Sequence, residues 1–213
     1  MPPLGDRLLQ ACGLVGPVLF TTAWIGASRR QPGYSLANEH ISGLAAPDAS
    51  APFVMTAGFW ALGIGAVGFA ASLEHRLGDA GNGPALLGAS GLAICVAGAM
   101  RRDRMSNWPM PGEPIERQSW VNDVHDLASV IGHVCATAGL LSLAARLRRV
   151  PELRDLALPA AGAAIGSSGV MSYFARDAVR PGNGIVQRVG ITIPLAYMMR
   201  LAWRLLREDR AGR

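Results

Sequence analysis

Six apolar stretches, near residues 8–28, 52–73, 84–100, 126–145, 156–174 and 184–206, take up most of this chain. Each is close to the roughly 20 residues that a helix needs to cross about 30 Å of hydrocarbon. Lipid offers the backbone no hydrogen-bond partner, so a spanning segment must satisfy its own N–H and C=O groups, as a helix does. The expected fold is therefore all-α: one domain over 1–213, a polytopic integral membrane bundle of six transmembrane helices. Composition points the same way. Only 16% of the residues are charged, against about 25% in soluble domains. A soluble bundle would also carry a polar stripe along each helix, which most of these stretches lack.

Arg7 ahead of the first stretch gives it the look of a signal peptide. Its length, with five further stretches behind it, favours a retained helix. All 20 basic residues are arginine, a bias of GC-rich coding more than of a binding function, and bacterial in character. The net charge of +5 lies mostly at the ends of the stretches, with no basic patch of interleaved aromatics, so nucleic acid is not an expected partner. The dense run Arg146, Arg148, Arg149 and Arg154 and the basic tail lie on the side of the termini. That places both termini in the cytoplasm and the chain in the inner (plasma) membrane. Cys12, Cys95 and Cys135 all fall within stretches and provide no disulfide framework.

Helices in lipid approach closely where small side chains let backbones touch. Ala85, Ala89, Ala93 and Ala97 recur at every fourth position, as do Gly162 with Gly166 and Ala160 with Ala164 and Ser168. These rows are the expected packing faces. Pro159 and Pro194 are expected inside spans, as possible kinks.

In a six-span arrangement the connections one–two, three–four and five–six share the outer face, and polar residues collect there. The first connection carries His40 and Ser42 after a turn-forming Pro32-Gly33-Tyr34-Ser35. The longest runs from Arg101 to Val124, with Pro109, Pro111, Pro114, Trp108 and Trp120, and reads as an interfacial tether or a lid. At helical spacing Asn122, Asp126, Ser129 and His133 form one polar stripe, expected to turn inward rather than face lipid. Arg176-Asp177 closes the fifth stretch. Arg188, about a turn inside the sixth, needs a carboxylate, a phosphate or a pocket of carbonyls, with Asp103, Asp126 or Asp177 the candidate partners.

Several features of this ordered set, Tyr34-Ser35, Ile41-Ser42-Gly43-Leu44, Asp103, His125 and Gly184 to Arg188, together resemble the domain-of-unknown-function 998 family of six-span membrane proteins. The resemblance covers nearly the whole chain. It implies the six-helix fold and supports the site, and it brings no established activity. Two positions depart from the family pattern: Gln187 stands where a glutamate commonly precedes the arginine, and Asp126 where a second histidine often follows the first. Both departures count against a mechanism that needs a Glu-Arg pair or paired histidines.

Three functions fit an outward polar pocket. The first is a membrane-embedded enzyme acting on a lipid or isoprenoid-like amphipathic substrate, with His125, Asp126 and Asp103 as acid–base groups and Arg188, Arg176, Asp177, His40 and Ser42 as binding groups. No cofactor is expected. Zinc through His40, His125 and Asp103 is a weaker alternative, because no His-Glu-x-x-His spacing occurs. The second is a protein that binds or transports a lipid headgroup or small anion. Transport needs a polar path to both faces, and the stripe fades beyond His133. The third is an accessory membrane protein whose polar groups only lock its helices.

Overall fold

Hydropathy, proline and one serine cap divide the chain into helices. The computed structural model describes residues 4–78, 81–103, 118–176 and 180–211. Six α-helices follow one another: α1 (Leu4–Arg30), α2 (Pro52–Leu77), α3 (Gly83–Ala99), α4 (Trp120–Leu147), α5 (Ala157–Phe174) and α6 (Asn183–Ala211). No strand occurs among the described residues. Proline opens α2 and α3, where its missing N–H would have had no helical partner anyway. Pro159 falls in the first turn of α5, so it kinks nothing, whereas Pro17 and Pro194 lie inside α1 and α6.

The largest boundary difference is at α4. Ser119 caps the helix, its side chain accepting from the Asn122 N–H. The helix therefore starts at Trp120, well before the apolar stretch expected from residue 126. Capping of the orphan N–H groups sets this start, and hydropathy does not see it. The expected tether or lid with Trp108 and the three prolines falls within 104–117, outside the described residues.

Four helices, α1, α2, α4 and α6, are long and apolar enough to cross a membrane. With 17 and 18 residues, α3 and α5 are shorter. They rise about 26 and 27 Å. The outside of the bundle is apolar along its length, with Val15, Leu19, Ile64, Val130, Val134 and Ile165 all exposed. Such a surface suits lipid rather than water.

Each helix packs on the next, and α6 returns to α1, so the ring closes. Two apolar cores fill it. One surrounds Phe69, Leu143, Leu147, Leu156 and Leu201 toward the termini, and is sealed by a 3-10 turn at Pro151–Leu156. The other surrounds Phe20, Leu44, Met55 and Leu62, and includes a 3-10 turn at Ile41–Ala45 of the α1–α2 connection. That connection folds inward over the helix ends.

Close helix approach uses different small residues from the expected rows. Ala160 and Ala164 are fully buried, but Ala85 and Ala89 are exposed, and a Cβ on Gly162 or Gly166 would meet nothing within 4 Å. The tight contacts lie at Gly63 against Gly91 between α2 and α3, where a Cβ on Gly63 would come 2.5 Å from the Gly91 carbonyl oxygen, and at Gly16 against Gly65 between α1 and α2. A fourfold spacing of small residues marks a face but does not say whether that face meets a neighbour. Gly63→Val is expected to lower stability by about 1–3 kcal/mol through overpacking, whereas Gly166→Val should shift it by less than about 0.5 kcal/mol. Thermal unfolding in detergent measures both.

Candidate functional site

At the end of the bundle away from the termini, polar groups gather around the α1–α2 connection, held from two sides. On one side is α6. Arg188 points Nη1 at the carbonyl oxygens of Leu36 (2.8 Å), Glu39 (2.9 Å) and Gly184 (2.8 Å), and Nη2 at the Tyr34 hydroxyl (2.7 Å). Its guanidinium also lies over the Trp24 and Tyr34 rings, at 5.3 and 5.7 Å. Among the described residues a pocket of carbonyls, not a carboxylate, is thus its partner; Asp177 lies outside them. Gly184 permits the approach, since a Cβ there would stand 2.7 Å from the Glu39 carbonyl oxygen. Gln187 accepts from the Ile41 N–H at 2.8 Å. A neutral amide side chain therefore serves at the position that departs from the family pattern.

On the other side is Arg102, just past α3. It is only 7% exposed and sits in a nest of acceptors. Nη1 faces His40 Nδ1 at 3.0 Å and Ser42 Oγ at 3.4 Å, and Nε faces Asn122 Oδ1 at 3.3 Å. Nη2 lies 3.7 Å from Asp126 Oδ2. Burial lowers the pKa of this guanidinium, and the charges of Asp126 and Asp103 oppose that fall. His40 Nδ1 accepts from Arg102, so the ring proton belongs on Nε2. Sequence reasoning missed Arg102, because an arginine next to Arg101 at a helix end reads as ordinary boundary charge.

The three expected acid–base residues divide by role. Asp103 is engaged in capping: Oδ2 accepts from the Ser119 N–H at 2.8 Å, and its carboxylate also meets the Ser119 hydroxyl. His125 is buried, with Nδ1 2.7 Å from the Ala97 and 2.8 Å from the Met100 carbonyl oxygen, closing the end of α3. Carbonyls only accept, so Nδ1 carries the proton and Nε2 is left as an acceptor. Its ring meets Phe59 edge-on at 6.0 Å. Asp126 differs from both. Its side chain is 46% exposed, and Oδ2 accepts from Asn122 Nδ2 at 3.0 Å.

The remaining expectations fall outside this network. Arg176 is exposed at the end of α5 and takes no part in it among the described residues, and Asp177 lies outside them. His40, His125 and Asp103 each face a different partner, and no group of three His, Cys, Asp or Glu among the described residues suits a metal. The stripe on α4 does not turn wholly inward. Ser129 is exposed and returns its hydroxyl to the His125 carbonyl at 2.9 Å, while Asn122, His125, Ala128 and Gly132 form the buried face. His133 Nε2 is buried with no hydrogen-bond partner among the described residues.

With this geometry in place, the comparison with known families is decisive for kinship. Residues 14–204 match the family described as "Protein of unknown function (DUF998)". The chain belongs to that family. No curated protein and no solved structure matches it. In this DUF998 member, then, His40, Ser42, Asn122, Asp126 and Arg102 form one cluster, while Tyr34, Gln187 and Arg188 pin the connection that carries the first two.

Tyr34 tests the pin. Burial pushes its hydroxyl up from 10.0 to about 12, against the pull of Arg188. A pKa raised in the folded state contributes stability that is complete below pH 10.0 and is lost as pH climbs through about 12. Tyr34→Phe leaves Arg188 Nη2 and the His40 carbonyl without that hydroxyl. It is expected to cost about 1–3 kcal/mol at neutral pH and to remove part of the alkaline loss, as followed by thermal unfolding across pH.

Proposed function

We propose that this protein crosses the membrane six times with both termini in the cytoplasm, and that its outer mouth engages an amphipathic small molecule through Asp126 as the acid–base group. Successive helices alternate in direction, so the three connections that carry the network share one face. The arginine-rich segments favour the opposite face for the cytoplasm. The short α3 and α5 cross with flanking polar residues reaching the interface.

The observation that carries the reading is the state of Asp126. It sits on a helix, with one oxygen held by Asn122 and beside Arg102 and the other without a partner among the described residues, and nearly half of the side chain is exposed. A carboxylate fixed in this way can take a proton from a ligand or hold its hydroxyl or amine. Arg102, Asn122 and Ser42 position it, and His125 Nε2 is an acceptor on the turn beside it. Lipids or isoprenoid-like molecules arriving in the plane of the membrane reach a half-exposed carboxylate at that level.

A second reading, a lock between helices without a ligand, is favoured by how completely Asp103 and His125 are used in capping. Asp126→Asn separates the two. The Asp126 side chain is 46% exposed and lies 3.7 Å from Arg102, which keeps its other acceptors His40, Ser42 and Asn122. The carboxylate charge therefore contributes no more than about 1 kcal/mol, and the variant should unfold near the wild-type temperature. Lipid mass spectrometry on the purified proteins should then show an amphiphile retained by the wild type and lost from Asp126→Asn. Identical bound lipids in both proteins would sink the ligand reading. Arg102→Gln, by contrast, should destabilise by about 1–3 kcal/mol under either reading.

A further inference from the structure

The end of the bundle near the termini carries a second charged cluster that the outer mouth does not use. A cavity of about 420 Å³ opens between the last turns of α6 and the 3-10 turn before α5, lined by Arg200, Trp203, Arg204, Arg207, Asp155 and Glu208. The five α6 residues named here lie at i, i+3, i+4, i+7 and i+8, so they form one patch on the helix surface.

The charges in this cleft are not evenly compensated. Arg204 is occupied: Nε donates to Glu208 Oε1 at 2.8 Å, and Nη2 lies 3.8 Å from Asp155 Oδ1 and donates to the Glu152 carbonyl at 2.9 Å. Glu208 also takes Arg76 Nη2 at 3.5 Å. Both acids are therefore committed to Arg204 and Arg76. Arg200 and Arg207 are exposed and have neither a hydrogen bond nor an ion pair among the described residues. They flank the neutralised centre as two open cations.

We infer that this cleft binds the phosphate of an anionic lipid headgroup in the leaflet on the side of the termini. Arg200 and Arg207 hold the phosphate, and Trp203 anchors at the headgroup level. The inference rests on the protein being embedded in a membrane and is independent of what Asp126 does. Trp203 is 52% exposed beside the two arginines, the place and residue type of an interfacial anchor. The surroundings favour a lipid over a dissolved anion. Beside the charges the cleft presents Trp203, and Leu158 stands 74% exposed at the start of α5 just past the 3-10 turn, an apolar surface that acyl chains cover and a free ion leaves bare. With Arg188 near one boundary, Arg207 lies about 28 Å further along the axis, close to the roughly 30 Å that brings it to the opposite headgroup level. Basic pockets beside spanning helices on the cytoplasmic side recognise anionic headgroups in this way.

Native mass spectrometry of the full chain in detergent, titrated with phosphatidylglycerol, phosphatidylcholine or inorganic phosphate, tests the assignment. Phosphatidylglycerol is expected to bind at least about tenfold more tightly than phosphatidylcholine. Arg200→Gln and Arg207→Gln should each weaken it by about fivefold. Arg149→Gln, an exposed charge outside the cleft, and Asp126→Asn should leave it unchanged. All the substituted side chains are exposed or half-exposed, and equal unfolding temperatures verify that each variant is folded. Equal binding of the two lipids, or no change in the Arg200→Gln, Arg207→Gln double variant, overturns the site. Binding of inorganic phosphate with no preference for the anionic lipid overturns the lipid assignment in favour of a soluble anion.

Discussion

One guanidinium holds the connection between α1 and α2 over the bundle. Irregular backbone near lipid must find hydrogen-bond partners within the protein, and residues 34–40 obtain them from the first turns of α6. Arg188 supplies donors to the carbonyls of Leu36 and Glu39, the Ile185 N–H meets the Ala37 carbonyl at 3.1 Å, and Gln187 accepts from Ile41. Charge-assisted bonds of this kind are stronger than neutral ones. The polar cluster at this end of the bundle depends on this docking, because His40 and Ser42 reach Arg102 only while the connection stays folded inward.

Arg102 shows the second constraint. A buried cation is tolerable when its donors are matched, and here the match comes from separate parts of the chain: a loop histidine and serine, and an asparagine with an aspartate one turn apart on α4. Among the described residues it meets the neutral acceptors His40, Ser42 and Asn122 and the half-exposed Asp126. The second Asp126 oxygen has no partner among these residues. The pair is therefore enclosed on the arginine side and exposed on the carboxylate side.

The helices were legible in the sequence because hydropathy alone decides what can sit in lipid, and five of the six began close to where the apolar pattern starts. The start of α4 was not, since Ser119 and Asp103 set it through hydrogen bonds. His40, Ser42, Asn122 and Asp126 could be picked out as polar residues near helix ends. Arg102 could not, because its neighbours make it look like boundary charge and its partners lie far along the chain. The pocket of carbonyls around Arg188 could be named as a kind of partner but not located, for a related reason: side-chain charges are visible in a sequence, whereas the positions of backbone carbonyls are not. The fourfold rows on α3 and α5 were likewise ambiguous. Spacing defines a face, but only the position of the neighbouring helix decides whether Gly162 or Ala164 meets it.

The closure of α6 onto α1 also bears on biogenesis. The groups that organise the first connection sit on the last helix, so while the chain is being made that connection lacks Gly184, Gln187 and Arg188. Its carbonyls stay unmatched by these groups until α6 packs beside α1. A chain lacking α6 would have its early helices but nothing to dock His40 and Ser42 beside Arg102, so the polar cluster is the last part of the fold to mature.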